Sequence, residues 1–254
     1  MDRAVVRKIS ARFDKAVISE RGRPPDVALA REQHATYRGH LERAGYEVTT
    51  IPADDRYPDC VFVEDTAVVI GGTALLTRPG TDSRVGEVHA VANQLASLLP
   101  VAHISPPGTL DGGDVMQIGT HLWVGYSSRS NREGLDQLTR VAAEEGVVVT
   151  VVPVTGVLHL KSAVLPIGPA TVVVTPGTVD ESLLAGLEVL HEDESEHHKF
   201  SALPLRDGRV LVTDAAPRTG ELLSSRGIQI EPLDISEILA VDGGLTCMSI
   251  LFST

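Results

Sequence analysis

The stretch Val61-Phe62-Val63-Glu64-Asp65-Thr66-Ala67-Val68-Val69-Ile70-Gly71-Gly72-Thr73-Ala74-Leu75-Leu76-Thr77-Arg78 reads as two short apolar strands joined by a glycine turn. Val, Ile and Leu suit a pleated, half-buried surface, and Gly-Gly supplies the backbone freedom of a tight hairpin. A helix-like stretch from Ser83 to Leu99 and a strand near Val101 to Ile104 come next, so the local grammar is strand, strand, helix, strand.

The same grammar recurs downstream. Leu110 to Ile118, the turn Gly119-Thr120 and His121 to Tyr126 form a second hairpin, with a helix over about Asn131 to Glu145 and a strand Val147 to Val152 behind it. Leu158 to Leu165, Gly168-Pro169 and Thr171 to Thr175 form a third. Phe200 to Leu205, Asp207-Gly208 and Arg209 to Thr213 form a fourth, followed by a helix near Gly220 to Arg226 and a strand Ile228 to Pro232. The fifth opens at Leu245 and lacks its second strand. Upstream, Ala4 to Ile9 reads as a strand, Asp26 to Ala44 as a helix ended by Gly45, and Glu47 to Ile51 as a strand. Ala4 to Ile9 is therefore expected to supply the strand that the fifth hairpin lacks, joining the termini.

Hairpins that open near Val61, Asp111, His159, Phe200 and Leu245 repeat every ~41 to ~50 residues, the spacing of a repeat architecture. Five ββαβ units closed into a ring predict an α/β fold, a five-bladed α/β propeller with pseudo-fivefold symmetry, closed by the N- and C-terminal strands. Closure protects strand edges that an open array exposes. The alternative is a doubly wound α/β sandwich. No linker divides the chain, so one catalytic domain is expected over residues 1–254.

Composition agrees with this reading. The chain is 43% hydrophobic but only 4% aromatic, which implies a core of Val, Leu, Ile and Ala. The net charge of −12 argues against nucleic acid or an anionic membrane as partner and is compatible with a cationic ligand. Two cysteines are too few for a disulfide framework, and no apolar run resembles a signal peptide or a spanning helix, so a cytoplasmic protein is expected. The run His191-Glu192-Asp193-Glu194-Ser195-Glu196-His197-His198 lacks a recurring ligand spacing and is expected to be a solvated loop.

The chemically capable residues fall at equivalent places, at the start of the hairpins. The first unit offers Glu64 and Asp65, the second Asp111 and Asp114, the third His159 and the fifth Cys247; the fourth offers only Phe200, Ser201 and Ala202. Each has a plain alternative: a lone cysteine on an apolar strand is usually a small hydrophobe, as Cys60 is expected to be, and an Asp-Gly-Gly-Asp run is usually a turn. Their common register favours convergence on one cavity. A cysteine, a histidine and a carboxylate together suit thiolate catalysis, in which the histidine moves protons and the carboxylate orients it. Two neighbouring acids such as Glu64 and Asp65 suit a planar guanidinium cation.

At this point the residues resemble a known family. Pro58-Asp59-Cys60-Val61-Phe62-Val63-Glu64-Asp65, Thr77-Arg78-Pro79-Gly80 with Ser83-Arg84, Leu110-Asp111-Gly112-Gly113-Asp114, Leu158-His159-Leu160-Lys161 and Val241-Asp242-Gly243-Gly244-Leu245-Thr246-Cys247 resemble dimethylarginine dimethylaminohydrolase along essentially the whole chain. The resemblance implies a five-bladed propeller that needs no cofactor or metal and hydrolyses methylarginines to citrulline. It implies Cys247 as nucleophile, His159 as acid and base, and Asp111 as the group orienting the histidine. It places Phe62, Glu64 and Asp65 around the substrate, with the two acids on its guanidinium. Arg84 and Arg129 are placed on its α-carboxylate, and Asp59 with the backbone carbonyls of Val241 and Ile18 on its α-amino group. Ile18 would sit on a lid. The expected partners are a small cationic methylarginine and, at most, a second copy of the chain in a homodimer, with no nucleic acid and no membrane. The chain departs from the family at Tyr57, where a leucine is expected, and at the fourth repeat, where Phe200-Ser201-Ala202-Leu203 replaces an Ala-Ala-Asn-Cys run.

Arginine deiminase and amidinotransferases are the enzyme alternatives, disfavoured by the short chain and the Phe-Val-Glu-Asp motif. A propeller-fold ribosome anti-association factor is the non-catalytic one, opposed by the presence of Cys247, His159 and Asp111. Cys247 and His159 as zinc ligands would fall short of the ~4 donors a structural zinc site uses.

Overall fold

The computed structural model describes residues 1–19 and 22–254. In chain order, β1 (Asp2–Arg7), α1 (Val27–Arg43) and β2 (Glu47–Ile51) are followed by β3 (Ala67–Ile70), β4 (Thr73–Leu76), α2 (Val88–Leu95) and β5 (Val101–His103). Next come β6 (Val115–Ile118), β7 (His121–Tyr126), α3 (Arg132–Glu144) and β8 (Val148–Pro153), then β9 (Val164–Pro166), β10 (Thr171–Val174) and β11 (Glu188–His191). The chain ends with β12 (Ala202–Pro204), β13 (Val210–Thr213), α4 (Pro217–Ser225), β14 (Ile230–Leu233), α5 (Ser236–Leu239) and β15 (Ser249–Ser253).

Among the described residues these strands form five three-stranded sheets, each with an antiparallel hairpin and a third strand parallel to its middle one. The fifth sheet is β15-β1-β2: Val5 lies opposite Ile250, and β1 runs parallel to β2 on its other side. The N-terminal strand thus supplies what the last hairpin lacks, as expected. Between β10 and β11 the connection narrows to one 3₁₀ turn, Glu181–Leu184.

Two compact units divide the described residues. One comprises Met1–Val63 and Glu192–Thr254, the other Glu64–His191. The first packs Ala4, Val6, Phe13, Tyr37, Leu41, Leu211, Ile238, Leu245 and Met248 into a core beneath α1. Asp26 caps α1 by accepting from Ala28 and Leu29 amides, and Gly45, at φ +88°, turns the chain out of the helix. The second holds one core under α3, around Leu75, Leu110, Leu122, Leu135 and Leu138, and another around Trp123, Leu160, Val164, Val172 and Leu184. Its α3 is capped by Asn131.

Two expectations need correction. The hairpins do not open as strands where the reactive residues lie: 3₁₀ turns at Val63–Thr66, Gly112–Asp114, Leu160–Ser162 and Thr246–Met248 come first, each running directly or within two residues into its strand. Polar and glycine-rich stretches hydrogen-bond locally and favour a tight turn over a ladder, so the apolar pattern governs only the residues after it. The His191–His198 segment is also no merely solvated loop. Glu196 is buried and accepts the Arg218 and Thr219 amides at 2.8 Å, serving as the anion at the start of α4, while Glu192 pairs with His197 at 2.7 Å.

Candidate active site

Within the Glu64–His191 unit, three successive repeats converge. Asp65, Asp111 and His159 are all buried, and each brings a polar atom within 4.8 Å of the others'. The local fold explains this, because each sits in or just before the 3₁₀ turn that leads into its strand. His159 Nε2 donates to Asp111 Oδ2 at 2.9 Å and lies 3.9 Å from Asp65 Oδ1. Asp111 is itself fixed: Oδ1 accepts from the Gly80 amide at 2.8 Å, and its own amide donates to Ser130 Oγ at 3.1 Å. The Gly112-Gly113 pair is required by close approach. A Cβ on Gly112 would overlap the Glu64 carbonyl oxygen, and one on Gly113 would stand 2.7 Å from His159 Nδ1.

Burial alone would push the His159 imidazole below its ordinary 6.5, but the carboxylates of Asp65, Asp111 and Asp114 outweigh burial and raise it to about 9. His159 is therefore an imidazolium at neutral pH. Asp65 also resists burial: His159 and Arg84 hold it at about 2. Burial pushes Asp114 up, although Oδ2 accepts the hydroxyls of Ser127 and Ser130 at 2.6 Å and Oδ1 the Leu160 amide at 2.9 Å.

The expected substrate groups of this unit are present, in engagements that the sequence did not reveal. Arg84 donates from Nη1 to Asp65 Oδ2 at 2.5 Å and from Nε and Nη2 to Glu87, forming a buried triad. Arg129 places Nη1 3.4 Å from Asp111 Oδ2. Glu64 accepts from Lys161 Nζ at 2.5 Å. Lys161 and Glu87 were not singled out by the sequence reading. For Lys161 the signal was its place two residues after His159, inside the same turn. Glu87 carried no signal, since a glutamate on a helical segment ordinarily faces solvent.

The Asp65, Asp111 and His159 donor set has the compactness of a metal site but not its chemistry. Nε2 is occupied by its proton toward Asp111, and the guanidiniums of Arg84 and Arg129 already neutralise the two carboxylates, so a divalent cation would face three positive groups.

In the other unit, Cys247 is half-buried on the Thr246–Met248 turn, packed against the first core. Its Sγ accepts from the Gly244 amide at 3.3 Å. Cys60 is buried, as expected for a small hydrophobe, and the two cysteines are not joined in a disulfide. Asp242, at φ +59°, accepts from the Ser19 amide at 2.7 Å and hydroxyl at 2.9 Å. Asp59 is buried and accepts from the Val17 amide at 3.1 Å. Ile18, between these two anchors, is exposed. Ile18 is the residue expected on a lid; Glu20 and Arg21, which follow it in sequence, lie outside the described residues. Phe62 is buried, and its ring lies where a Cβ on Gly243 would come within 2.6 Å; Val241 is buried just ahead of that turn.

No protein-family model matches the chain. A dimethylarginine dimethylaminohydrolase of Streptomyces coelicolor is 38% identical over 251 residues, which are 98% of this chain and 96% of that one. Among solved structures, a cysteine-to-serine variant of the Pseudomonas aeruginosa enzyme complexed with citrulline matches with TM-score 0.93 and 30% identity over 98% of both chains. A histidine-to-glycine variant of dimethylarginine dimethylaminohydrolase, as an adduct with S-methyl-L-thiocitrulline, matches with TM-score 0.93 and 30% identity over 99% of this chain and all of the other. These matches run the length of the chain and bear out the α/β-propeller reading of the five repeats.

Proposed function

Because this chain belongs to the dimethylarginine dimethylaminohydrolase family, we propose that Cys247 and His159 act on one guanidinium carbon to hydrolyse methylated arginines. The products are L-citrulline and an amine: dimethylamine from Nω,Nω-dimethyl-L-arginine and methylamine from Nω-monomethyl-L-arginine. The observation that carries the reading is the His159–Asp111 pair, an imidazole held protonated at neutral pH by its neighbouring carboxylates. Such a group donates a proton to a departing amine, which a neutral imidazole cannot do.

The Cys247 thiolate attacks the guanidinium carbon, and the π electrons of the C–N bond move onto nitrogen to give a tetrahedral adduct. His159 gives its proton to the alkylated nitrogen, the C–N bond breaks, and the amine departs, leaving a cationic S-alkylthiouronium on Cys247. The neutral imidazole then takes a proton from water as its oxygen adds to the same carbon. Collapse of this second adduct breaks the C–S bond, forms the ureido carbonyl of citrulline and returns the thiolate, while the adduct's hydroxyl proton passes to solvent, where the released amine takes one up. Asp111 stabilises the imidazolium in both halves.

Glu64 and Asp65 supply the negative charge that the guanidinium meets. Lys161 holds Glu64 in the meantime, and Arg84 with Glu87 holds Asp65; Arg129, together with Arg84, takes the α-carboxylate. Asp59 and the carbonyls of Val241 and Ile18 take the α-amino group, while Phe62 borders the substrate. The test is to incubate the protein separately with asymmetric dimethylarginine and with arginine and follow citrulline. Citrulline from the methylated substrate supports the reading; citrulline from arginine alone overturns it.

A further inference from the structure

The fourth repeat places no acid, histidine or cysteine at the head of its hairpin, yet it reaches the turn that carries Cys247. Ser201, immediately before β12, is buried, and its Oγ accepts the Leu245 amide at 2.8 Å. The preceding amide, that of Gly244, donates to Cys247 Sγ at 3.3 Å. Two consecutive N–H groups of one turn are thus held by two side chains, one of them the sulfur itself. Gly244 is a glycine for reasons of space: a Cβ there would stand 2.7 Å from Ser201 Oγ. A hydrogen bond donated to sulfur favours thiolate over thiol, and its strength depends on where the turn aims that N–H.

We propose that Ser201 is a positioning residue for Cys247, its hydroxyl pinning the Leu245 amide so that the adjacent Gly244 amide stays aimed at the sulfur. This rests on the reading of Cys247 as the nucleophile and assigns the fourth repeat a part in it. Ser201 touches neither substrate nor reacting carbon in this role. Without the hydroxyl the Leu245 amide loses its acceptor, the turn relaxes to recover one, and the Gly244 N–H drifts from the sulfur.

The test uses Ser201→Ala, Ser201→Thr, Gly244→Ala and the double variant Ser201→Ala/Gly244→Ala. Alkylation of Cys247 by iodoacetamide is followed by peptide mass across pH 6 to 10, with buried Cys60 as internal reference. This readout needs no turnover. Ser201→Ala is expected to alkylate about tenfold more slowly at neutral pH, with its profile displaced toward higher pH. Its kcat should fall about tenfold with KM within about twofold. Ser201→Thr should recover most of the rate. Gly244→Ala should be impaired by collision with Ser201 Oγ, and the double variant should lose less than the two single losses multiplied. A folded Ser201→Ala protein with the wild-type alkylation profile overturns the proposal, as does strict multiplicativity in the double variant. If Ser201→Ala does not fold, the Thr variant and the Gly244 pair still decide. If no form hydrolyses methylarginine, the functional reading fails, while the alkylation profiles still decide the role of Ser201.

Discussion

Replacing Asp111 by asparagine should remove the hydrogen-bonded counterion of His159 with almost no change in volume. Both carboxylate oxygens act as acceptors: Oδ1 takes the Gly80 amide at 2.8 Å, and Oδ2 takes His159 Nε2–H at 2.9 Å beside Arg129 at 3.4 Å. An amide has one acceptor oxygen and one donor nitrogen. Whichever way Asn faces, a donor meets a donor, either at Gly80 or at His159 and Arg129. Breaking a buried charge pair from one side costs about 3–5 kcal/mol. The rise of His159 from 6.5 to about 9 corresponds to roughly 3 kcal/mol at 1.36 kcal/mol per unit, shared among Asp65, Asp111 and Asp114. Because His159 is raised in the folded state, its contribution is complete below about 6.5 and is lost as pH rises through about 9. The Asn variant should be less stable than wild type by about 3 kcal/mol at pH 6, and the part of that gap linked to His159 should narrow as pH rises from about 6.5 to about 9. Urea unfolding at the two pH values measures the gap, and ring NMR of labelled histidine, assigned with a His159→Gln variant, should show His159 moving back toward 6.5. At neutral pH kcat should fall by about a hundredfold or more as the acid is lost. An unchanged His159 titration with an unchanged stability gap would refute the reasoning.

The acid limb has the opposite sign. Asp65 is depressed from 3.8 to about 2, so its contribution is complete above about 3.8 and is lost as pH falls through about 2, which stability curves of Asp65→Asn against wild type should show. Gly113→Ala should displace the imidazole, since its Cβ would come 2.7 Å from Nδ1 and 2.9 Å from Asp65 Oδ1; about 1–3 kcal/mol of stability and most of kcat should go together in thermal and kinetic assays. Lys161→Met strips the ammonium from a buried carboxylate and should cost about 3 kcal/mol by urea unfolding. In a Cys247→Ser background, added methylarginine should recover part of that loss as a larger rise in Tm than the Lys161 protein shows. Val5→Pro, in the middle strand of the fifth sheet, should cost about 3 kcal/mol or more and lower activity with it, because β15 and β2 flank β1 and the lost N–H serves one of them.

The architecture was legible because apolar strands and glycine turns recur at a regular spacing, down to the expectation that the first strand completes the last hairpin. The clustering of Asp65, Asp111 and His159 was legible for the same reason, since repeats put equivalent residues in equivalent places. What hid was local. Glu64, Asp65, Asp114 and Cys247 lie in 3₁₀ turns that an apolar pattern reads as strand, and Asp111 and His159 lie immediately before such turns. A tight turn leaves no periodicity in three residues. The ionic partners hid too. Arg84 carries nothing in sequence to say that Glu87 and Asp65 would claim its donors, nor Lys161 that it would lie on Glu64. Ser201 looked like the blank in an otherwise regular series, because a hydroxyl that serves a backbone amide has no spacing rule. The acidic histidine segment misled for a general reason: charged runs are ordinarily solvated, and only the start of α4 packed against Glu196 gives that carboxylate a buried purpose.

The proposed hydrolysis turns on a covalent bond at Cys247. Acid quench during turnover of asymmetric dimethylarginine, followed by digestion and peptide mass, tests it most directly. The Cys247 peptide should gain the mass of the substrate less dimethylamine, and the adduct should be missing both from Cys247→Ser and from a His159→Gly variant, in which the departing amine lacks its proton donor. Turnover with no adduct on Cys247, or with the added mass on another residue, would contradict it.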